Sequence, residues 1–409
     1  MFDQLVTRPR IRNCDLKSAD MMFDGWLVER SIQIGWRLLA AFLVLLALGD
    51  PASAEDSDDC GGASVGPRRI AACSRIIGER TASPERRASA YRNRAIAWSD
   101  SGHDERALAD YDSAIALDPD NTDAINDRGL IWLNKGENER AISDFDRAIE
   151  LDPAKAAAFY NRGLAKAHTG DDAHSVADYS RAIELDPAYV AAFNNRGFVF
   201  NRMGEFDRAI ADFDEAISLY PQHPFAYNNR AISWGAKGEG ERAIADYSQA
   251  ITLDPTYVNP YGSRGIYYFY DNDDPTKAQA DFTAAVELAP HNAYYAIWLA
   301  LALRRDAGIG HLRQSTERLD MTSWPAPLVR MFLGDQTPEE ALAAANNSIP
   351  TTKRRNLCEA NLYIAEFHWL RGDTDKALPF YRFAARDCPR DFIEYVAANR
   401  RLHALGVSP

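Results

Sequence analysis

Arginine and aspartate side chains recur at two fixed positions through the middle of this sequence. The two residue types form charge-assisted, often bidentate hydrogen bonds, so their regular spacing predicts a ladder of structural ion pairs that fixes register more than it adds net stability. The spacing leaves open whether each pair forms within one repeat or across to the next. Anion binding is the alternative role for the arginines. The arginines are Arg94, Arg128, Arg162, Arg196, Arg230 and Arg264, and the aspartates are Asp110, Asp144, Asp178, Asp212, Asp246 and Asp281.

The residue before each arginine is an asparagine in four of the six repeats: Asn93, Asn161, Asn195 and Asn229. Asp127 and Ser263 take its place in the other two. A carboxamide both donates and accepts hydrogen bonds, so a row of asparagines can hold an extended peptide main chain, or it can bond to adjacent side chains of the protein itself. Three residues after each of these positions stands an apolar side chain: Ile96, Leu130, Leu164, Phe198, Ile232 and Ile266.

Catalytic and cofactor-binding signatures are absent from the sequence. It contains no nucleophile elbow, phosphate-binding loop or dinucleotide fingerprint, and its eight histidines are scattered without metal-ligand spacing. The formal net charge of −13 argues against general binding to nucleic acid, because such proteins need a basic surface. We therefore expect a non-enzyme without cofactor or metal, in a chain whose 46% hydrophobic content is that of a folded protein.

Prolines spaced 34 residues apart define the elements that position these side chains. Pro119 is followed at this interval by four more, and Pro290 comes after a step of 35 residues, which gives six units over 88–292. Each unit reads as a helix, a glycine turn and a second helix that ends near its proline. Small residues at one position of the first helix, such as Gly129, predict close approach of the two helices.

This pattern resembles the tetratricopeptide repeat, and a lone seventh unit fits at 358–391. The resemblance implies an all-α, right-handed α-solenoid of stacked hairpins, closed by a capping helix at about 391–405. Residues 55–87 are then a lead-in segment, 293–357 a degenerate helical region, and 358–409 the seventh unit with its cap. Three positions depart from the repeat pattern: Lys166, Ser175 and Asn272.

The resemblance also implies that the asparagine and apolar rows face the concave groove of the solenoid. The asparagines are similar to the asparagine ladder in the superhelix of O-GlcNAc transferase, with Asp127 and Ser263 as departures. The alternative is that both rows pack against neighbouring helices. If the groove binds a ligand, replacing Asn161, Asn195 and Asn229 together with Ala weakens partner capture without unfolding the protein.

The cysteines that follow the leader fall into two local pairs, Cys60 with Cys73 and Cys358 with Cys388. An even number of cysteines in an exported chain predicts disulfides, and buried reduced thiols are the alternative. In the seventh unit, Cys358 opens the first helix and Cys388 closes the second. Antiparallel helices bring those ends together, so we expect this bridge in particular.

Residues 1–54 have the layout of a secretory signal peptide. Arg30 and Arg37 precede the apolar run Leu38 to Leu48, and an Ala-x-Ala site ends at Ala54. The run is too short to span a bilayer as a helix, so no stable membrane insertion is expected after cleavage. The prediction is an exported, periplasmic protein, with a secreted protein or an uncleaved N-terminal anchor as alternatives.

Together these features predict a non-catalytic scaffold that binds a peptide or protein segment in the groove. The chain resembles bacterial periplasmic adaptors built from tetratricopeptide repeats. Two alternatives remain open: a self-assembling structural protein, and an enzyme whose site lies in 293–357.

Overall fold

The computed structural model describes residues 54–62, 64–271, 275–303, 305–390 and 392–408. Every regular element in these ranges is an α-helix, which confirms the all-α prediction. The helices are α1 (Ala54–Gly61), α2 (Pro67–Gly78), α3 (Pro84–Asp100), α4 (Asp104–Leu117), α5 (Thr122–Asn134), α6 (Asn138–Leu151), α7 (Ala156–Thr169), α8 (Asp172–Leu185), α9 (Val190–Met203), α10 (Phe206–Leu219), α11 (Pro224–Ala236), α12 (Gly240–Leu253), α13 (Val258–Asp271), α14 (Pro275–Leu288), α15 (Ala293–Leu303), α16 (Arg305–Ser315), α17 (Ala326–Leu333), α18 (Pro338–Asn346), α19 (Pro350–Leu370), α20 (Thr374–Asp387) and α21 (Ile393–Ala404).

The chain divides into an N-terminal unit that ends at Leu185 and a C-terminal unit that begins at Asp186. In the N-terminal unit, α3 to α8 form three helical hairpins, and α1 and α2 pack before them. The C-terminal unit continues with hairpins α9/α10, α11/α12 and α13/α14. Within each unit the first helices of successive hairpins contact one another, as α3 contacts α5 and α5 contacts α7. A residue at one register position therefore lies near its equivalent in the next hairpin.

Each hairpin closes where a small residue of the first helix meets an aromatic ring of the second. At Gly129 an added Cβ would lie 2.6 Å from Cε1 of Phe145, which is closer than any real contact. Phe145 itself is fully buried, as are Ala141 and Ala148 on either side of it. The contact explains why the repeat keeps glycine or alanine at this position, because a larger side chain would separate the helices.

A second contact between the paired helices explains the departure at Lys166. In the first hairpin the guanidinium of Arg106 stacks on the ring of Trp98 at 4.6 Å, and Arg242 stacks on Trp234 at the same distance. The third repeat has no aromatic ring at this position, and Lys166 instead donates to Oδ2 of Asp178 at 2.8 Å. Lysine therefore keeps the two helices joined, through an ion pair in place of a cation–π contact.

The departures at Ser175 and Asn272 have different outcomes. Ser175 is completely buried where alanine is usual, and its hydroxyl donates to the carbonyl oxygen of Gly163 at 2.8 Å. Burial of this hydroxyl is therefore compensated by a hydrogen bond. Asn272 lies outside the described residues.

Residues 293–357 form four helices and the start of a fifth, and they are not loosely attached. Trp298 of α15 is buried and stacks on Phe282 of α14, with ring centroids 5.7 Å apart. The helix α18 begins with a capping box, in which Thr337 and Glu340 each bond the backbone of the other. The first helix of the lone seventh hairpin starts at Pro350 and not near Cys358 as expected, so α19 is longer than the first helices of the other hairpins.

No described helix has both the length and the apolar composition needed to cross a membrane. The predicted signal peptide falls almost wholly on residues 1–53, which lie outside the described residues.

Candidate functional site

The predicted arginine and aspartate residues meet in all six hairpins. Each arginine donates hydrogen bonds from Nε and Nη2 to both carboxylate oxygens of the aspartate in the same hairpin. In the second hairpin Nε of Arg128 lies 2.9 Å from Oδ2 of Asp144, and Nη2 lies 2.6 Å from Oδ1. The same fork joins the other five pairs: Arg94 with Asp110, Arg162 with Asp178, Arg196 with Asp212, Arg230 with Asp246 and Arg264 with Asp281.

The third guanidinium nitrogen reaches back to the preceding hairpin. Nη1 of Arg128 donates to Asp112 at 2.8 Å, Nη1 of Arg162 to Asp146 at 2.6 Å, and Nη1 of Arg264 to the hydroxyl of Ser248 at 2.8 Å. The bonds within a hairpin and those across to its neighbour are thus made by one side chain. Hydrogen bonds to Asp144, followed by those to Asp112, raise the pKa of Arg128 above its ordinary value. All three nitrogens of such an arginine are bonded to groups of the protein, so its guanidinium serves the stacking of the hairpins.

In the N-terminal unit the asparagine row lies between adjacent first helices. The Nδ2 of Asn161 on α7 donates to Oδ1 of Asn126 on α5 at 3.0 Å, and both side chains are buried. One repeat earlier the same two register positions carry Arg92 and Asp127, whose Nε and Oδ2 are 2.9 Å apart. Asp127 is therefore not a break in the row. An ion pair replaces an amide pair at the same contact.

The C-terminal unit repeats this contact with a larger amide network. The Nδ2 of Asn229 donates to Oδ1 of Asn194, and Nδ2 of Asn201 donates to the backbone oxygen of Asn229, each at 3.3 Å. The hydroxyl of Ser233 donates to Oδ1 of Asn201 at 2.7 Å. Asn229, Asn201 and Ser233 are all buried. The amides thus bond to one another between first helices.

This burial changes the expected result of replacing the asparagines with Ala. Asn161 is 3% and Asn229 7% exposed, so their truncation removes contacts between hairpins and must weaken folding. Asn93 and Asn195 are half-buried, as are the apolar residues Ile96, Leu164, Phe198 and Ile232. Leu130 is 9% exposed. The accessible part of the predicted face is therefore mainly its apolar row, with asparagines at its edge.

Both predicted cysteine pairs are bonded in the structure. Cys60 is joined to Cys73 between α1 and α2, and Cys358 is joined to Cys388 at the open end of the α19/α20 hairpin. All four residues are buried. The second bridge closes a loop with a sequence separation of 30 residues.

The sequence analysis missed three buried carboxylates in the C-terminal unit: Glu359, Glu366 and Glu394. The fully buried Glu366 accepts from the hydroxyls of Tyr270 at 2.6 Å and Tyr381 at 2.7 Å. Glu359 and Glu366 are seven residues apart on α19, which places them on one face of the helix. Two acids seven residues apart in the mainly apolar stretch 357–367 of α19 were the signal that could have indicated this network.

Nothing in the described part of the chain gathers three or more His, Cys, Asp or Glu side chains into a possible metal site. The residues that the fold brings together are thus the two rows of the first helices and the buried acids near α21.

Four family models match the sequence. Three models of the tetratricopeptide repeat match residues 93–159, 190–223 and 265–307, and a further repeat model of the same type matches 166–204. Fold and family matches together show that the chain contains tetratricopeptide repeats stacked as helical hairpins.

Several solved structures share part of this fold. A crystal structure of MamA protein is 24% identical, with a TM-score of 0.38, and covers 41% of this chain and 92% of its own. A tetratricopeptide-repeat protein from Parabacteroides merdae ATCC 43184 is 15% identical, with a TM-score of 0.47, and covers 60% of this chain and 97% of its own. YrrB, described as having an unusual peptide-binding site, is 18% identical, with a TM-score of 0.38, and covers 45% of this chain and 95% of its own.

Proposed function

We propose that the chain is an exported, non-catalytic scaffold that holds a segment of a partner protein along the first helices of its hairpins. The contact residues are the apolar row, with Ile96, Leu130 and Leu164 in the N-terminal unit and Phe198 and Ile232 in the C-terminal unit. Each row crosses neighbouring helices at one register position, so it offers a line of apolar contacts at regular intervals.

The observation that carries this proposal is that Ile96 and Leu164 are partly exposed, while the polar side chains beside them are already hydrogen-bonded within the protein. The arginine forks and the amide pairs already join the hairpins, so stacking does not require full burial of the apolar row. A partner segment that places apolar side chains at matching intervals would fit this row.

The binding test uses Ile96→Lys and Leu164→Lys in the full chain, with Ala116→Lys on the exposed side of α4 as the matched control. Photo-crosslinking from positions 96 and 164 in intact cells identifies the partner, and binding is then measured with both purified proteins. We expect the two row variants to lose roughly tenfold or more in affinity, with melting temperatures near that of the wild type. Equal affinity for the row variants and the Ala116→Lys control would reject the binding face.

Export is supported by the residue pattern of 1–54 and by the two disulfides, since such bonds persist in oxidising compartments. N-terminal sequencing of the protein from a periplasmic fraction should give a chain that starts at Glu55. A chain that retains residues before Ala54 in the cytoplasmic fraction would contradict this assignment.

A further inference from the structure

The first described helix, α1, is joined to α2 by the disulfide between Cys60 and Cys73. Within residues 56–61 of this helix, Cys60 is the only apolar residue that is buried. The other buried residue of this stretch is Asp56, and the remaining four are exposed or half-buried. This part of α1 therefore gives the core its half of the disulfide and no other apolar side chain.

The ion pairs between α1 and α2 lie at the surface. Nε of Arg75 donates to Oδ1 of Asp56 at 2.8 Å, and Nε of Arg68 donates to Oδ2 of Asp59 at 2.7 Å. The side chains of both arginines are more than half exposed, and ion pairs in water contribute little to stability. A helix of eight residues is not stable alone in water, so these contacts do not suffice to hold α1.

The helix α2, in contrast, has its own attachment to the first hairpin. Its Ile76 packs in one buried cluster with Ala90 of α3. The hydroxyl oxygen of Ser74 accepts from Nη1 of Arg94 at 2.9 Å. The arginines of later hairpins use the same nitrogen to bond the second helix of the hairpin before them. The helix α2 therefore takes the place of a second helix, and it stays on α3 without help from α1.

The pair α1/α2 lacks the packing that closes the repeat hairpins. In those hairpins an aromatic ring of the second helix lies against a small residue of the first, as Phe145 lies against Gly129. The buried residues of α2 are Ala72, Cys73 and Ile76, and none of them is aromatic. The disulfide is therefore the main contact that joins α1 to the rest of the N-terminal unit.

The second disulfide joins two helices that are also held by an apolar core. Cys358 and Cys388 connect α19 to α20. Leu362 of α19 and Tyr381 of α20 are completely buried in the same cluster. Loss of this bridge leaves that packing in place, so the same chemical bond serves two different purposes at the two ends of the chain.

We propose that α1 is an oxidation-dependent cap of the N-terminal unit, docked on α2 while Cys60 and Cys73 are joined and unfolded when they are thiols. Reduction by a dithiol breaks the S–S bond, adds two electrons and two protons to the cysteine sulfurs, and converts the dithiol to a disulfide. The helix then unfolds where it stands, while α2 stays on α3. This device lies outside the binding face of the proposed function, and it makes the order of this end of the chain depend on the redox state of the compartment.

Amide hydrogen exchange in residues 58–62 of the full chain measures the docking of α1. These amides include that of Gly62, which donates to the carbonyl oxygen of Asp58 in the last turn of the helix. In Cys60→Ala/Cys73→Ala their exchange should become roughly 100-fold faster, because the lost bridge spans a sequence separation of 13 residues. Wild type treated with dithiothreitol should show the same increase, and reoxidation should reverse it.

The matched control is Cys358→Ala/Cys388→Ala, which removes the other bridge and should keep the wild-type exchange rates in residues 58–62. In the Cys60/Cys73 variant the amides of α2 should also keep their wild-type rates, and the melting temperature should stay near that of the wild type, which separates undocking of α1 from misfolding. Wild-type exchange of α1 in that variant, or equal acceleration of α1 and α2, would overturn the proposal.

Discussion

The amide pair between Asn126 and Asn161 allows a direct test of what the asparagine row contributes. Replacing Asn161 with Ala deletes one hydrogen bond between α5 and α7, which is worth about 1 kcal/mol net. It also leaves Oδ1 of the buried Asn126 without its donor, at a further cost of about 1–3 kcal/mol. We therefore expect Asn161→Ala to lower the free energy of unfolding by about 2–4 kcal/mol.

Urea unfolding followed by circular dichroism and by tryptophan fluorescence measures this loss, and coincidence of the two probes checks that the transition is two-state. Asn93→Ala is the control, because it lies at the same register position two repeats earlier and is only half-buried. It should change the free energy of unfolding by no more than about 0.5 kcal/mol.

The double variant Asn126→Ala/Asn161→Ala should lose less than the sum of its single changes, by about 1 kcal/mol, since both partners are then absent. If Asn161→Ala is as stable as Asn93→Ala, the amide contact does not support stacking. The asparagine row would then again be a candidate for ligand binding.

Two further measurements test the capping and the closure of individual hairpins. Replacing Cys358 and Cys388 with Ser should lower the free energy of unfolding by about 3–4 kcal/mol, because the bridge constrains a loop with a sequence separation of 30 residues; an oxidised double variant as stable as the wild type would contradict this. The Nδ1 of His223 accepts from the amide of Ala226 at the start of α11, and burial lowers the pKa of His223. The contribution of this cap to the free energy of unfolding is therefore present above about pH 6.5 and is lost as the pH falls. Between pH 7 and 5 the wild type should lose stability relative to His223→Asn. Parallel pH profiles of the two proteins would reject the cap.

Much of the fold was predictable because each hairpin repeats the same local chemistry. Proline spacing and glycine turns set the ends of the helices, and the small residue opposite an aromatic ring, as at Gly129, set how the two helices pack. These contacts join residues close in sequence, so the recurrence of the same residue types in every repeat indicates them. The bidentate arginine forks are of the same kind, with partners 16 or 17 residues apart.

The contacts between hairpins were less visible. The pairing of Asn126 with Asn161 joins two register positions that differ by one residue, so neither row by itself indicates it. In the sequence, Asp127 is a departure from the asparagine row. The structure shows that Asp127 pairs with Arg92 at the contact where Asn161 pairs with Asn126. The same holds for Lys166, whose ion pair with Asp178 replaces a ring contact.

By itself the sequence determined an all-α chain of repeated hairpins, the positions of its turns, the recurrence of arginine and aspartate at two fixed positions and the absence of known catalytic motifs. Only the tertiary structure decided which polar side chains form contacts between hairpins and which apolar side chains stay accessible to solvent. It also placed α21 against α13 and buried Glu359, Glu366 and Glu394. The physical reason is that the burial and the pKa of an acid depend on contacts with helices distant in sequence. The residues of one repeat specify their own hairpin and do not indicate which surface a later helix will cover.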